Sequence, residues 1–393
     1  MLNRVKIFAS IIDDATKKQI EEFSSCDAYK DCEIRVMPDC HSGAGCVIGS
    51  VIRYKDRIVA ETVGVDLFCG MLVTELGHAN IDVKRLDEVV NHLVPSGFNV
   101  HDDPVADFDF SGFHAPIANK DYLLRSIGTL GGGNHFIELD EDGDGNQFLV
   151  IHSGSRNLGK QVCEYWQNRA YEKLTDDSDR RREIIDRLKA EGREREIGEE
   201  LKKLRKPTVN KDLAYLSGED MSRYLHDAEL CGRYAELNRF KMAQIILRGL
   251  KAVALGSFTT THNYVDTESG IIRKGAVSAK EGEKLIIPMN MRDGSLICMG
   301  KGNEDWLCSA PHGAGRIMSR AKAFETLRME DFKESMRGVY STSVCEGTLD
   351  EAPMVYKPIE VIKEDIKDTV DILSVIKPVY NFKAKDGGKR SKD

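Results

Sequence analysis

The stretch TVGVDLFCGMLVTEL (62–76) joins a glycine-containing turn to a short apolar run, and three other stretches in the first half of the chain repeat this pattern. They are RVMPDCHSGAGCVIGSVI (35–52), SIGTLGGGNHFIEL (126–139) and FLVIHSGSRNLG (148–159). The apolar runs have the length and the β-branched or aromatic content of buried strands. Polar side chains stand where each run meets its glycines, so we expect functional groups at strand ends and in loops.

The second half of the chain has similar short apolar runs beside glycines or polar residues. They are SFTTTHNYV (257–265), GIIRKGAVSA (270–279), EKLIIPMNM (283–291), SLICMG (295–300) and APHGAGRIMSR (310–320). Between the two halves, residues 160–250 read as helical. Their first part is dense in both charges, which predicts a solvated helical pair, and the last part has the three- and four-residue apolar spacing of a long core-packed helix. We therefore predict one mixed α/β domain over 1–383, with 160–250 as a charged helical insertion and 384–393 as a basic, disordered tail.

Composition excludes several classes of protein. Of the 393 residues, 41% are hydrophobic and 31% charged, as in a globular protein with a large core. No apolar run is long enough for a membrane helix, and the start has no signal-peptide pattern, so we expect a cytoplasmic protein without membrane attachment. Ten cysteines without a CxxC pair disfavour a zinc ribbon. The net charge of −8 removes the usual footprint of a nucleic-acid binder but does not exclude a local basic patch.

Five side chains that border glycine-rich turns are candidate metal ligands: Asp66, Cys69, His135, His152 and His262. A carboxylate, a thiolate and three imidazoles suit a borderline transition metal such as Mn, Fe, Co or Zn. The cysteine sulfur can also bridge two ions, as in the metal pairs of phosphoryl-transfer enzymes. Each residue alone is weak evidence, since a single histidine before a turn is more often a structural hydrogen-bonder than a ligand, and it is their joint placement beside glycines that favours a metal site.

A candidate anion site follows in SAPHGAGRIMSR (309–320), where His312 stands directly before Gly-Ala-Gly-Arg. Backbone N–H groups at a glycine turn form an anion cradle, and Arg316 adds a fixed positive fork. His312 is then a candidate nucleophile or general acid, or simply the cap of a tight turn. Asp39 and His41 precede another glycine turn, where they are structural or orient a ligand. No glycine motif has Walker A or dinucleotide spacing, which disfavours ordinary kinases and dehydrogenases.

Taken together, these motifs resemble the RtcB family of GTP-dependent RNA ligases. The family order MPDxHxGxG, VGxDxxCG, GTLGxGNHFxE, IHSGSRxLG, HN, RKGA, HGAGRxMSR and EEAPxxYK appears here as MPDCHSGAG, VGVDLFCG, GTLGGGNHFIE, IHSGSRNLG, HNYV, RKGA, HGAGRIMSR and DEAPMVYK. The matches span about residues 37 to 383, nearly the whole chain.

The resemblance implies a ligase that joins an RNA end with a 3′-phosphate or 2′,3′-cyclic phosphate to an end with a 5′-hydroxyl, using GTP and two Mn²⁺ ions. One ion would sit on Cys69, His135 and His152, and the other on Asp66, Cys69 and His262. His312 would attack GTP to give a guanylylated histidine, and GMP would then pass to the RNA 3′-phosphate. The implied nucleotide contacts are Asn134, His135, Phe136, Ile137, Glu138, His262, Asn263, Pro288, Met289, Asn290, Met291, Ser295, His312, Gly313, Ala314, Gly315, Tyr356 and Lys383.

The chain departs from the family in two motifs and in its typical length. One departure is MPDCHSGAG (37–45), which lacks the aromatic residues typical of the family, and the other is the nucleotide loop. The family's nucleotide-loop pattern PGSMGTxS is PMNMRDGS (288–295) here. The negative charge of Asp293 would be unfavourable beside phosphates unless it is paired, and Arg292 is the candidate partner. This departure bears on whether GTP or another nucleotide is used. It also motivates an alternative, a metal-dependent RNA-end phosphodiesterase or phosphatase without ligation. A non-catalytic RNA- or partner-binding protein is the third hypothesis, which the complete ligand set disfavours.

The sequence also predicts a local positive groove for RNA, near Arg156, Arg273, Lys274, Arg316 and Arg320. It does not separate tRNA splicing from RNA repair. An activating protein and the oligomeric state are equally open at this point.

Overall fold

The computed structural model describes residues 4–204 and 208–384. In chain order the strands are β1 (Val5–Ile7), β2 (Glu33–His41), β3 (Ile48–Arg53), β4 (Arg57–Ile58), β5 (Gly70–Gly77), β6 (Phe136–Glu141), β7 (Gln147–Ser153), β8 (Leu216–Ser217), β9 (Gly256–Thr261), β10 (Tyr264–Asp266), β11 (Ile271–Lys274), β12 (Ala276–Ser278), β13 (Lys284–Asn290), β14 (Gly294–Gly300), β15 (Ser309–Pro311) and β16 (Val370–Lys383). The α-helices are α1 (Asp14–Ser24), α2 (Val83–Leu93), α3 (Lys120–Ser126), α4 (Arg156–Thr175), α5 (Ser178–Ala190), α6 (Ile197–Lys203), α7 (Gly218–Leu250), α8 (Arg320–Thr326), α9 (Met329–Ser335) and α10 (Ile359–Asp365). The expected mixed α/β fold is confirmed.

A seven-stranded antiparallel sheet carries most of the glycine-bordered stretches. Its spatial order is β13-β14-β16-β6-β7-β5-β9. Strands far apart in sequence are therefore neighbours: β5 pairs with both β7 and β9, and β6 pairs with both β7 and β16. The loops before β5 and β6 and the loop after β9 lie at the same end of these neighbouring strands. Side chains from these loops therefore come together there.

A second sheet has five strands in the order β1-β2-β3-β11-β10. Only its β1–β2 pair is parallel. The two short strands β12 and β15 pair beside it and lead the chain to His312. β2 ends on the segment that contains Asp39, so this sheet brings the MPDCHSGAG and HGAGR motifs to one place.

The helices α4 and α7 pack against the core. Trp166 of α4 and Tyr224 of α7 are buried in the largest apolar cluster, together with Ile34 and Ile52 of the five-stranded sheet. The end of α7 instead packs with α2 on one face of the seven-stranded sheet. The 33-residue α7 confirms the predicted long core-packed helix.

The charged stretch after α4 is the exposed part of the helical region. α5 and α6 pack on each other, and Leu188 is the buried side chain of α5. The predicted disordered tail, 384–393, lies outside the described residues except for Ala384. Within 4–204 and 208–384, none of the helices combines the length and apolar character that a membrane span requires.

Candidate metal centre and nucleotide cleft

Three candidate metal donors meet where neighbouring strands of the seven-stranded sheet end. Cys69 directly precedes β5, His152 lies in β7 and His262 directly follows β9. Since β7 and β9 are the two partners of β5, this order places the three side chains together. The Cys69 Sγ lies 3.2 Å from Nε2 of His152, and that nitrogen lies 3.3 Å from Nε2 of His262.

Asp66 and His135 complete the cluster from the other side of Cys69. The Nε2 atom of His135 lies 2.9 Å from Oδ2 of Asp66 and 3.3 Å from Sγ of Cys69. The other ring nitrogen, Nδ1, donates a hydrogen bond of 2.9 Å to the carbonyl of Leu130. This backbone bond orients the ring so that Nε2 faces the other donors.

The fold divides the five donors into two groups that share Cys69. One group is Asp66, Cys69 and His135, the other is Cys69, His152 and His262, and the donor atoms of each group lie within 4.8 Å of one another. This division differs from the pairing that the sequence resemblance implied, in which His152 went with His135 and His262 with Asp66. The reason is that Asp66 approaches His135, while His262 faces His152 across the end of β5.

The chemistry and spacing of these donors fit divalent metal ions. Two ligands that are each about 2.1 Å from one ion, at a tetrahedral angle, lie about 3.4 Å apart. The separations of 3.2 and 3.3 Å around His152 are close to this value. A shared thiolate with imidazoles and one carboxylate is a donor set for borderline transition ions. The cluster therefore fits divalent metal, with Cys69 as a donor common to both groups.

Burial favours the neutral form of most of these donors. It raises the pKa of the Cys69 thiol well above its ordinary value, and the Asp66 carboxylate adds to the rise. It lowers the pKa values of His152 and His262 well below the ordinary value. Burial also acts to raise the pKa of Asp66, but the hydrogen bond and charge of His135 bring it below its usual value. Neutral imidazoles and a carboxylate are ready to bind a metal, and a coordinating thiol gives up its proton.

Two consecutive buried residues of α7, Asn238 and Arg239, hold the loops that carry the donors. The Asn238 side chain accepts from the backbone N–H groups of Gly128 and Thr129 and donates to Ser153 and Gly154. Arg239 donates to the carbonyls of Phe68 and Ser153, the residues next to Cys69 and His152. Neither residue was predicted from the sequence, although Asn238 falls on the apolar stripe of α7 at helical spacing, which signals a buried polar role.

Glycine at position 154 of the IHSGSR motif is required by a close approach. A Cβ atom there would collide with the carboxylate of Asp66. The motif therefore makes room for a metal donor from another loop.

His312 lies beside this cluster and is held by Asp39. Its Nδ1 lies 2.6 Å from Oδ2 of Asp39, and its backbone N–H donates to the same oxygen at 3.1 Å. Asp39 is fully buried, and the imidazole of His312 lies 4.8 Å, centroid to centroid, from that of His262. Gly315 has a φ of +74°, and a Cβ atom there would collide with the backbone of Asp39, so the HGAG turn and the MPD strand pack tightly.

A cleft of about 1130 Å³ opens above the donor cluster and His312. Of the residues expected to contact the nucleotide, those that line it are Asn134, Phe136, Glu138, Pro288, Met289, Asn290, Met291, His312, Gly313, Ala314, Gly315, Tyr356 and Lys383. Ile137 does not line it, because alternate residues of a strand face opposite sides and its side chain packs in the core beneath β6.

The other expected nucleotide residues lie close by. His135 and His262 belong to the donor cluster. The side chain of Asn263 lies 3.4 Å from the backbone oxygen of Asp66 and accepts from the backbone of Gly275. Ser295 is fully buried. Its hydroxyl has no hydrogen-bond partner among the described residues.

Comparison with known proteins decides the family. A family model described as tRNA-splicing ligase RtcB matches residues 19–115 and 113–384. The chain belongs to the RtcB family. The RNA-splicing ligase RtcB of Escherichia coli strain K12 is 31% identical to it over 393 residues, covering 89% of this chain and 90% of that protein. The tRNA-splicing ligases RtcB of Archaeoglobus fulgidus and Methanococcus maripaludis are 26% and 24% identical and cover 88% and 87% of this chain.

The loop that departs from the RtcB pattern is closed by its own side chains. Asn290 accepts from the backbone N–H groups of Arg292 and Asp293 and donates to the Asp293 carboxylate at 2.8 Å. Arg292 binds the same carboxylate, with Nε 2.7 Å from Oδ1. The expected pairing of Asp293 with Arg292 is confirmed. The aspartate therefore brings no uncompensated charge to the cleft.

The predicted basic groove of this RtcB-family chain is only partly formed. Arg273 and Lys274 are buried, and Arg273 binds Tyr264, Ser309 and Asp266, so the prediction is wrong for these two cations. Arg316 and Arg320 do line the cleft, although Arg316 is paired with Glu351 and Arg320 with Asp350, and Lys322, which was not predicted, lines it as well. Sequence charge does not distinguish a cation that faces solvent from one that binds inside the fold.

Proposed function

We propose that the chain is an RNA ligase that joins a 3′-phosphate or 2′,3′-cyclic phosphate end to a 5′-hydroxyl end through a guanylylated His312. The observation that carries the proposal is the position of His312, which lines the cleft, is bonded to buried Asp39 and stands next to His262 of the donor cluster. With Nδ1 occupied by Asp39, the free atom of the neutral imidazole is Nε2. A histidine nucleophile beside a metal donor set is an arrangement for nucleotidyl transfer.

The first step of the proposed reaction takes place at His312. Its Nε2 forms a bond to the α-phosphorus of GTP, and the bond from that phosphorus to the bridging oxygen breaks, releasing pyrophosphate. Asp39 keeps the ring oriented and stabilises the charge that develops on it. Two bound Mn²⁺ ions would neutralise charge on the phosphates; Asp66, Cys69, His135, His152 and His262 would hold them.

The second and third steps transfer the activated group to RNA. A cyclic end is first hydrolysed to a 3′-phosphate. An oxygen of this phosphate attacks the histidine-bound phosphorus, and the N–P bond breaks. The 5′-hydroxyl of the other RNA then attacks the activated 3′-phosphorus, and GMP leaves. A phosphate monoester has no good leaving group. Transfer of GMP to the RNA 3′-phosphate supplies one, because GMP can then leave when the 5′-hydroxyl attacks.

The polarity of the cleft supports guanine as the base. The Glu138 side chain and the Lys383 ammonium both line the cleft. Oε1 of Glu138 accepts from Asn381 at 2.6 Å, which leaves Oε2 for a ligand. A carboxylate accepts hydrogen bonds and an ammonium only donates them. Guanine offers N–H donors beside a carbonyl acceptor, whereas adenine offers the reverse pattern on the corresponding edge. Glu138 and Lys383 therefore match guanine.

The ten cysteines are all free thiols within the described residues. Reduced thiols support the proposal that the protein works in the cytoplasm.

The proposed function is tested with two labelled RNAs, one with a 2′,3′-cyclic phosphate and the other with a 5′-hydroxyl, incubated with Mn²⁺ and GTP. We expect one longer RNA, dependent on GTP and absent with His312→Ala. Conversion of the cyclic phosphate to a phosphate or hydroxyl end without joining, and without a need for GTP, would instead establish the phosphodiesterase or phosphatase.

A further inference from the structure

Three cleft side chains from different parts of the fold converge on one buried carboxylate, Glu351. Its Oε2 accepts from the hydroxyl of Tyr356 at 2.7 Å and from Nζ of Lys383 at 2.8 Å. Its Oε1 accepts from Nη1 of Arg316 at 3.1 Å. Glu351 is 3% exposed, and the side chain of Lys383 is 5% exposed, so this is a buried charge network.

The network joins the segments that enclose the cleft. Arg316 ends the HGAGR turn, whose residue Gly315 accepts from the backbone of Lys357. Lys383 ends β16, and its Nζ also lies 3.4 Å from the carbonyl of Asn134 and 5.4 Å from the ring centre of Phe136. Glu351 thus links the nucleophile turn, the DEAPMVYK segment and the start of β6.

Glu351 is ionised in this setting. Burial acts to raise its pKa, but the charges of Lys383 and Arg316, with the hydrogen bonds from Lys383 and Tyr356, lower it to about 2. Two cations and a phenol held on one anion have fixed directions. Without the anion, Lys383 and Arg316 would face each other as buried like charges, and their side chains would turn away from each other or toward water.

We propose that Glu351 is a positioning residue for the nucleotide base, which fixes the Lys383 ammonium as a hydrogen-bond donor and the Tyr356 ring as a contact surface in the cleft. The inference rests on the proposed function. Two of the three Nζ–H groups of Lys383 point to Glu351 and Asn134, which leaves one for a ligand. Because the Glu351 charge compensates the lysine, Lys383 suits a neutral carbonyl acceptor on a base better than it suits a phosphate.

The test separates binding from chemistry. Binding of GTP is measured calorimetrically in the presence of Mn²⁺ with His312→Ala as the background, in which no covalent adduct can form. Glu351→Gln keeps the shape of the side chain but removes its charge and one acceptor. We expect GTP to bind at least about tenfold more weakly than in the background, while the Mn content stays the same. Glu346→Gln, an exposed carboxylate in the same turn, is the matched control and should bind as the background does.

Two further variants show whether Glu351 acts through its partners. Glu351→Gln combined with Lys383→Met should weaken GTP binding little more than Lys383→Met alone, because both changes remove one interaction. Glu351→Asp, which keeps the charge, should recover part of the affinity, and it replaces Glu351→Gln if that variant does not fold.

The outcomes are distinguishable from those of the proposed function. Unchanged GTP affinity in folded Glu351→Gln, or fully additive losses in the double variant, would overturn the positioning role. GTP binding that depends on Glu351, combined with no histidine adduct in the protein that keeps His312, would support this inference and overturn the ligase chemistry. No GTP binding by the background protein would overturn the positioning role.

Discussion

The Oδ2 atom of Asp39 lies 2.6 Å from Nδ1 of His312, although the two residues are 273 positions apart in the chain. The carboxylate also accepts from the backbone N–H of His312, so it fixes both the ring and the turn that carries it. Because Asp39 is fully buried, this charge-assisted bond is shielded from water. The pair has the form of a nucleophile whose imidazole is oriented by an aspartate.

Asp39→Asn should slow GMP attachment by about 100-fold or more, because it removes the charge that orients and stabilises the imidazole. The measurement is the rate at which α-labelled GTP labels the protein with Mn²⁺ present. Asp14→Asn, an exposed residue at the start of α1, is the control. A rate in Asp39→Asn equal to that of the control would contradict the role of Asp39.

Cys69→Ala should reduce the bound metal from the proposed two ions to one or none, because Cys69 belongs to both donor groups. Metal analysis of the purified protein by mass spectrometry measures this directly. Cys163→Ala removes a buried thiol of α4 outside the cluster and should keep both ions. Two ions at full occupancy in Cys69→Ala would refute the bridging position.

Asp140→Asn should stabilise the protein by an amount that grows with pH. Asp140 is fully buried with neither oxygen hydrogen-bonded among the described residues, and burial, with the Glu138 charge, raises its pKa well above the ordinary 3.8. The folded protein therefore keeps a proton that the unfolded chain releases above about pH 4, so the cost of Asp140 rises with pH. We expect a gain on the order of 1–3 kcal/mol in the free energy of unfolding near pH 8 and little near pH 4.

Denaturant unfolding at several pH values measures this effect. Asp144→Asn, exposed in the same β6–β7 turn, should show no such trend. A stability difference for Asp140→Asn that is independent of pH would show that the native carboxyl is not protonated.

Lys322→Ala should weaken RNA binding and reduce its salt dependence by about one counterion in the slope of log K against log salt. Lys322 lines the cleft, where it can face an RNA phosphate. Fluorescence anisotropy of a labelled RNA over a series of KCl concentrations gives the slope. Lys251→Ala, exposed at the end of α7, serves as the control, and equal slopes for the two variants would exclude Lys322 from the RNA contact.

The sequence was informative where function depends on local pattern. Glycines beside short apolar runs located Asp66, Cys69, His135, His152 and His262 at strand ends, and the fold brings all five together. The spacing along α7 predicted a long helix, because amphipathic periodicity is a property of consecutive residues.

Relationships set by strand order were not readable in this way. The donors group as they do because β5 lies between β7 and β9, and nothing local to Cys69 specifies this order. The same limit applies to Asp39 with His312 and to Glu351 with Lys383, whose partners come from distant segments. Arg273 read as a surface cation because charge in a sequence carries no information on burial.

The most direct test of the central claim is to incubate the protein with Mn²⁺ and α-labelled GTP, with ATP in parallel, and to look for acid-labile label on the protein. We predict label from GTP that disappears in His312→Ala while that variant keeps its metal. Label from ATP instead would contradict guanine as the base. No label from either nucleotide, in protein that holds metal, would contradict the guanylylated histidine.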